Sequence, residues 1–578
     1  MRTNLYMEKE SVRLFLLIPI LMMIMTGAAQ AQSDTIQTDV PALKDVYRGD
    51  FYIGCLLSYR NIGLPDDPAV PGQSAVVTPN GGYLIKFHMN SMSPGNNMKP
   101  QYTVDISASA AAYAAASSQS EKDSIDTHPI VRFNGDMIAQ LNWAQRQGFT
   151  FRGHTLVWHS QTPAEFFRSG YTSSGARLTK EMMTERMDNY IHELIRLIHE
   201  GWPGLLSAMD VVNEAIDDGT GNVRTTGNDW YYTFQDTTYV MKAFELARKY
   251  TEQYGESQIK LYYNDYNTSN AKKADGIVAL LTPIYEAGYL DGIGMQEHDG
   301  LSSPTAAAWI ASYNKFAPIC SEMAVTELDV TTGSASPTAA VRAKQANQYG
   351  QLFKCFVERS YKSGRGKIIS VSKDGLNDQY TFKSNQASSL WDADNQCKPA
   401  FYSVVNVGMN YNALDSLLKF AGTLQMDGYT QESWSRLILA ILVADAEMDS
   451  IYTFNESAAD SLGAAKDSLA AAIDGLVDRA TDVAASDRNI PNDFGLCQNY
   501  PNPFNPTTII TYRLPVSSHV TMKIYDLLGR EVATLVNEKQ NPGYHELTFN
   551  AAELSSGVYF YRITAGTFTA SKKLVFVK

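Results

Sequence analysis

The sequence predicts an α/β chain in which a (β/α)8 TIM barrel is followed by a small helical bundle and a C-terminal β-sandwich. Three observations lead there. Across residues 41–412, eight short β-branched or apolar runs alternate with amphipathic helical stretches. Over 413–486 the composition turns to Ala, Leu, Asp and Ser at helical spacing, and over 489–578 short strands are separated by turn signals. At 578 residues the chain exceeds what one core usually serves, so a large domain with smaller ones attached is expected.

The first 31 residues read as a secretory signal peptide. Arg2, Lys9 and Arg13 precede an apolar run over 14–25, and Ala29-Gln30-Ala31 supplies small residues at a cleavage position. A membrane span needs about 20 apolar residues, so this run is too short for an anchor. Initiation at Met7 instead of Met1 leaves the export signal intact. No later segment reads as a membrane span.

The candidate barrel strands are 51–58, 83–91, 149–158, 208–213, 259–265, 292–298, 322–330 and 367–373. Polar and aromatic residues gather at their C-terminal ends, the face on which such barrels build active sites. Two stretches read as insertions: 65–82, which contains Pro and Gly, and the Ser/Ala-rich 107–120, open between a short helix and a loop. Beyond the barrel, Trp434, Leu437, Ile441, Ala444 and Met448 fall on one helical face, which makes them core and not a sugar platform. The last strands are 507–514, 519–525, 531–536, 544–549, 558–564 and 567–577.

Composition excludes some functions. The net charge of −13 argues against a nucleic-acid partner, whose footprint needs a basic face. Five cysteines, Cys55, Cys320, Cys355, Cys397 and Cys497, are scattered and odd in number, so neither a disulfide framework nor a zinc site follows. No metal or cofactor is called for.

The chemistry-bearing pattern is a pair of glutamates at strand ends. Asp210-Val211-Val212-Asn213-Glu214 places Glu214 directly after the fourth strand, and Val325-Thr326-Glu327-Leu328-Asp329 places Glu327 within the seventh. Glycosidic bonds are broken by two carboxylates, one protonating the leaving oxygen while the other attacks or activates water. A lone Glu after a strand is more often a helix N-terminal charge; the pair on one eight-strand pattern shifts the balance.

Five segments in order then carry a resemblance: Arg152-Gly153-His154-Thr155-Leu156-Val157-Trp158-His159-Ser160-Gln161, the Asn213-Glu214 segment, Asn264-Asp265-Tyr266-Asn267, Gly292-Ile293-Gly294-Met295-Gln296-Glu297-His298, and Thr326-Glu327-Leu328-Asp329. Residues 41–412 resemble a glycoside hydrolase family 10 endo-β-1,4-xylanase. The resemblance implies a retaining hydrolysis of xylan through a covalent glycosyl-enzyme, with Glu214 as acid/base and Glu327 as nucleophile. It implies that Asn213 donates to the sugar 2-hydroxyl, that His298 hydrogen-bonds the nucleophile, and that Gln296 supports the site. Asn96, Lys99, His154, Trp158, Gln161 and Tyr266 are the implied sugar contacts. Trp391 matches a segment that closes the barrel.

Two positions depart from the family pattern. Gly95 stands where a sugar-binding Glu is expected after the second strand, and Asp374 where a Trp is expected after the eighth; Phe382 occupies a second aromatic position. The alternatives are therefore a family member shifted to a decorated or different β-linked glycan, and a catalytically weak carbohydrate-binding protein.

The two smaller regions also carry resemblances. Tyr429-Thr430, Ser433-Trp434 and Ala472-Ile473-Asp474-Gly475-Leu476 resemble the FIVAR helical modules of extracellular carbohydrate-active proteins, which implies a spacer. The run Gln498-Asn499-Tyr500-Pro501-Asn502-Pro503-Phe504-Asn505-Pro506, with Ile524-Tyr525-Asp526-Leu527-Leu528-Gly529-Arg530 and Ser556-Gly557-Val558-Tyr559-Phe560-Tyr561, resembles the sorting domain of type IX secretion. That implies the type IX machinery as a partner, passage through periplasm and outer membrane, and a secreted or cell-surface enzyme.

Overall fold

The computed structural model describes residues 36–58, 81–361, 364–477, 491, 493–502, 504–527 and 529–576. The signal peptide over 1–31 and most of the insertion over 65–82 lie outside the described residues.

Parallel pairing closes the barrel. Its strands are β1 (Tyr52–Leu57), β2 (Ser91–Pro94), β3 (Thr150–Trp158), β4 (Leu206–Asn213), β5 (Lys260–Asp265), β6 (Gly292–Met295), β8 (Glu322–Thr331) and β9 (Lys367–Asp374), with a short β7 (His298–Gly300) beside β8. They pair in the order β6-β5-β4-β3-β2-β1-β9-β8, and β6 pairs with β8 to complete the ring. The strands are buried along almost their whole length, as expected where helices cover a parallel sheet.

The second strand differs from its expected position. Residues over 83–91 alternate well enough to read as a strand, yet Gly81–His88 is a helix, with Leu84, Ile85 and His88 inward and Tyr83 exposed. Only the four residues Ser91–Pro94 form β2. The Ser/Ala-rich insertion resolves into two helices. Asp105 caps Ile106–Ala115 by accepting from the Ala108 amide, and a reciprocal Ser118/Glu121 box opens Gln119–Thr127. The second helix is tied to the rest of the domain by Asp126. Its carboxylate pairs with the fully buried Arg186 at 3.2 Å and accepts the Gly170 amide at 2.6 Å.

By its contacts the chain divides into two compact units, Met1–Lys419 with Val443–Ser468, and Phe420–Leu442 with Leu469–Lys578. The described part of the segment expected to be helical, 413–477, is thus divided between them. In the first unit, the buried Lys354 ammonium donates to the carbonyls of Met448 and Ser450, both at 2.7 Å, and Asn410 donates to the Ala459 carbonyl.

The second unit contains two antiparallel sheets. One has the order β10 (Gly495–Leu496), β11 (Thr507–Leu514), β14 (Gly543–Asn550); the other has β13 (Glu531–Gln540), β12 (Ser518–Tyr525), β15 (Gly557–Ala565), β16 (Phe568–Phe576). Alternate residues such as Ile510, Tyr512, Leu514, Val520, Met522, Ile524, Tyr561 and Ile563 fill one shared core, which makes this a β-sandwich. Among the described residues no helix is long and apolar enough to cross a membrane.

Candidate active site

The C-terminal ends of the barrel strands open into a cleft of about 790 Å³, and its lining includes Asn96, Lys99, Trp158, Gln161, Glu214, Tyr266, Gln296, His298 and Glu327. Glu214 leaves β4 in the left-handed region, with φ 54°. Its amide donates to the Asn264 carbonyl at 2.9 Å, which keeps the residue laced to β5 after the strand has ended. Each carboxylate oxygen of Glu214 accepts one hydrogen bond, from the Trp158 indole at 3.0 Å and from the Gln296 amide at 2.9 Å.

Glu327 lies where the β8–β9 register shifts between Val325 and Leu328, an irregularity of the kind that re-aims a side chain. Asn264 donates to it at 3.0 Å and to the Asn213 side-chain oxygen at 3.0 Å, while its own oxygen accepts from Thr326 at 2.7 Å. Asn213 also accepts from Gln296 at 3.3 Å. A single network of amides therefore joins the two glutamates. The Asn213 side-chain nitrogen has no hydrogen-bond partner among the described residues, which leaves a buried donor for another molecule.

His298 stands between two carboxylates. Its Nε2 is 3.5 Å from Glu327 and its Nδ1 is 2.8 Å from Asp329. Burial alone would lower the His298 pKa, but the hydrogen bonds and charges of Asp329 and Glu327 outweigh it and push it up to about 10. For Glu327, burial works upward. The hydrogen bond from His298 and the field of His154, His298 and Arg152 reverse that, holding its carboxyl well below the usual carboxylate range. The result is an ionised carboxylate at working pH.

At the cleft rim Lys99 donates to Asn96 and Gln161, both at 2.8 Å, with its ammonium 4.6 Å from the centre of the Trp158 ring. Burial lowers the Lys99 pKa, against the pull of Glu327, Glu214 and Asp374. Tyr266 is held by the buried Lys273 ammonium 3.6 Å over its ring and by Arg224 donating to its hydroxyl at 3.2 Å. His154 does not line the cleft. It is 2% exposed and bonds to Asp210, which also pairs with Arg152; Arg152 in turn donates to the Thr326 carbonyl beside Glu327. Asn213 is likewise buried beneath the lining.

Sequence reasoning gave no role to Asn264, Asp329 or Lys383. The signal for Asp329 was present, since a residue two positions beyond Glu327 on a strand points to the same side. Both departures from the family pattern are part of the cleft: Gly95 and Asp374 line it. Asp374 accepts from Thr381 at 2.6 Å, and burial raises its pKa to about 6 in spite of that bond.

Residues 42–407 match glycosyl hydrolase family 10. The chain belongs to this family. It is 31% identical over 401 residues to endo-1,4-beta-xylanase Y of Acetivibrio thermocellus, a match that covers 66% of this chain and 34% of that protein. The chain thus spans about a third of that relative's length. Among solved structures, it resembles the N-terminal modules of Clostridium thermocellum endo-1,4-beta-D-xylanase 10B complexed with xylohexaose (TM-score 0.54, 29% identity, 65% of this chain and 69% of that one). An intracellular xylanase from Thermoanaerobacterium saccharolyticum matches with TM-score 0.52 and 26% identity, over 64% of this chain and all of its own. Residues 498–578 match a secretion system C-terminal sorting domain, so this family 10 member carries the signal of a secreted or cell-surface protein.

Proposed function

We propose that the protein is a retaining endo-β-1,4-xylanase in which Glu327 is the nucleophile and Glu214 the acid/base. The observation that carries this reading is the pairing of an ionised Glu327, held by His298 and Asn264, with Glu214 in the same cleft and the same amide network. Glu327 attacks the anomeric carbon while Glu214 protonates the departing oxygen, which gives a covalent glycosyl-enzyme. Glu214 then takes a proton from the water that releases the sugar. Asn213 offers its free amide to the sugar 2-hydroxyl, a contact that strengthens in such transition states. Asn96, Lys99, Trp158, Gln161 and Tyr266 grip the flanking sugars, and xylan is the substrate that the named relatives favour.

A second reading has a specific observation behind it. With Gly95 and Asp374 in the lining, the cleft lacks a carboxylate at one position and gains one at another, which fits a decorated xylan or another β-linked glycan. Measuring reducing-sugar release from xylan, β-glucan and mannan separates the readings. Xylan hydrolysis with retention of anomeric configuration is expected; no release from any of the three would leave only a carbohydrate-binding role. For export, we take the sorting tail to engage the type IX machinery after passage through the periplasm.

A further inference from the structure

The loop that follows β9 reaches back to the nucleophile by a route the assigned roles do not use. Lys383 places its ammonium 2.9 Å from one oxygen of Asp329, whose other oxygen holds His298 at 2.8 Å, and His298 faces Glu327 at 3.5 Å. The next residue back, Phe382, sets its ring edge-on against the His298 imidazole, with centroids 5.0 Å apart, while remaining 67% exposed on the cleft wall. Both contacts come from one turn. It is pinned by the Thr381 hydroxyl, which donates to Asp374 and accepts the Lys383 amide at 3.3 Å. It is also pinned by Gly375 at φ 59°, where a Cβ would lie 2.2 Å from the Tyr380 carbonyl.

We propose that Lys383 is a positioning residue for the nucleophile, acting through Asp329 and His298 to set the charge and aim of Glu327. The proposal rests on Glu327 being the attacking group. Its physical basis is the balance of charge around His298. Facing the imidazole are Glu327 and Asp329 of β8, and Asp374 of β9 feels its charge; Glu297 also feels it, while Asp299 couples to Glu297, Asp329 and Lys383. Tyr349, from the helix Ala339–Tyr361, also feels Asp329. Against these carboxyl groups stand His298 itself, Lys383, and Lys99, Arg152 and His154 on the Glu327 side. In so buried a site each charge couples strongly to the next. Lys383 offsets Asp329, so that the His298 charge is left to act on Glu327.

The sign of its removal follows. Taking a cation away raises the proton affinity of every group that remains, so the pKa values of Glu327 and His298 both move up. The pH profile of kcat/KM should then shift bodily to higher pH. A purely structural loss would lower its height and leave its limbs in place.

The test uses the full-length protein, wild type and as Lys383→Met and Lys383→Arg, assayed across pH on an aryl β-xylobioside with a good leaving group. In parallel the His298 ring titration is followed by nitrogen NMR. Lys383→Met should move the acid limb up by roughly half a unit to one unit, a three- to tenfold loss at the acid side, and should raise the His298 midpoint. Lys383→Arg should keep the wild-type midpoints. An equal loss at every pH in Lys383→Met, an unmoved His298 midpoint, or an arginine variant as impaired as the methionine one would each overturn the proposal. If the wild type does not turn over the aryl xylobioside but the His298 midpoint still moves, the charge coupling stands and it is the xylanase reading that fails.

Discussion

Asn264 ties Glu327 to Asn213 through one side-chain amide: its nitrogen serves both, and its oxygen is fixed by Thr326. A rotamer locked in this way cannot relax when one partner is lost. Hydrogen bonds to a charged group contribute about 1.5–3 kcal/mol, so Asn264→Ala should lower kcat/KM by roughly ten- to a hundredfold, with thermal unfolding measured alongside to exclude a folding defect. The two glutamates themselves should separate by leaving group. A nucleophile is needed by every glycoside, whereas acid catalysis matters only for poor leaving groups. Glu327→Ala should therefore abolish turnover of all substrates, while Glu214→Ala should retain activity on an activated aryl xyloside and lose it on xylan. Equal losses in both variants on the aryl substrate would assign the roles wrongly.

At the scale of elements, the loops after β2 and β9 distinguish this cleft. Gly95 takes no strained backbone angle, and a Cβ there would approach the Leu57 carbonyl at 3.2 Å, so a side chain needs only a small adjustment. Asp374 offers a carboxylate whose pKa near 6 makes its charge vary across mildly acidic pH. Gly95→Glu combined with Asp374→Trp should raise kcat/KM on linear xylooligosaccharides by roughly tenfold, through charge-assisted hydrogen bonds and stacking area, and reduce it on substituted xylan. The helices Ile106–Ala115 and Gln119–Thr127 supply none of the cleft lining among the described residues, so they do not provide substitute groups for the missing carboxylate. Legibility followed element length and partner distance. β3, β4, β5 and β8 were readable because their apolar runs are buried along their length, and the long tail strands β11 and β12 because buried residues alternate with more exposed ones. β2 was not, since four residues carry no period and the neighbouring amphipathic helix alternates like a strand. In the site, the glutamates stood out through ordered segments around them. Lys383 did not, because its partner Asp329 lies 54 residues away on β8 and no local spacing reports that contact.

At the scale of the whole molecule, the barrel and the sorting tail fall in different compact units, and this predicts where the chain can be cut. The sandwich fills its core from its own strands, so deleting 489–578 should leave xylan hydrolysis by the purified protein unchanged while retaining the enzyme inside the native cell. A cut at 412 should behave differently. It removes Val443–Ser468, which belongs to the barrel unit, and with it two carbonyls that accept from the Lys354 ammonium, which is 2% exposed and also pairs with Glu358 at 3.6 Å. It also removes the Phe454 carbonyl that Asn347 donates to at 3.2 Å, and the buried Leu462 and Ala465. Each buried hydrogen bond lost costs about 0.5–1.5 kcal/mol, and more when it involves a charged group. A chain ending at 412 should therefore melt well below one ending at 477, although both keep every strand of the barrel and every residue of the cleft. Thermal unfolding and xylan hydrolysis of the two truncations, side by side, decide the matter: equal melting temperatures would mean that the helices over 443–468 are dispensable to the barrel.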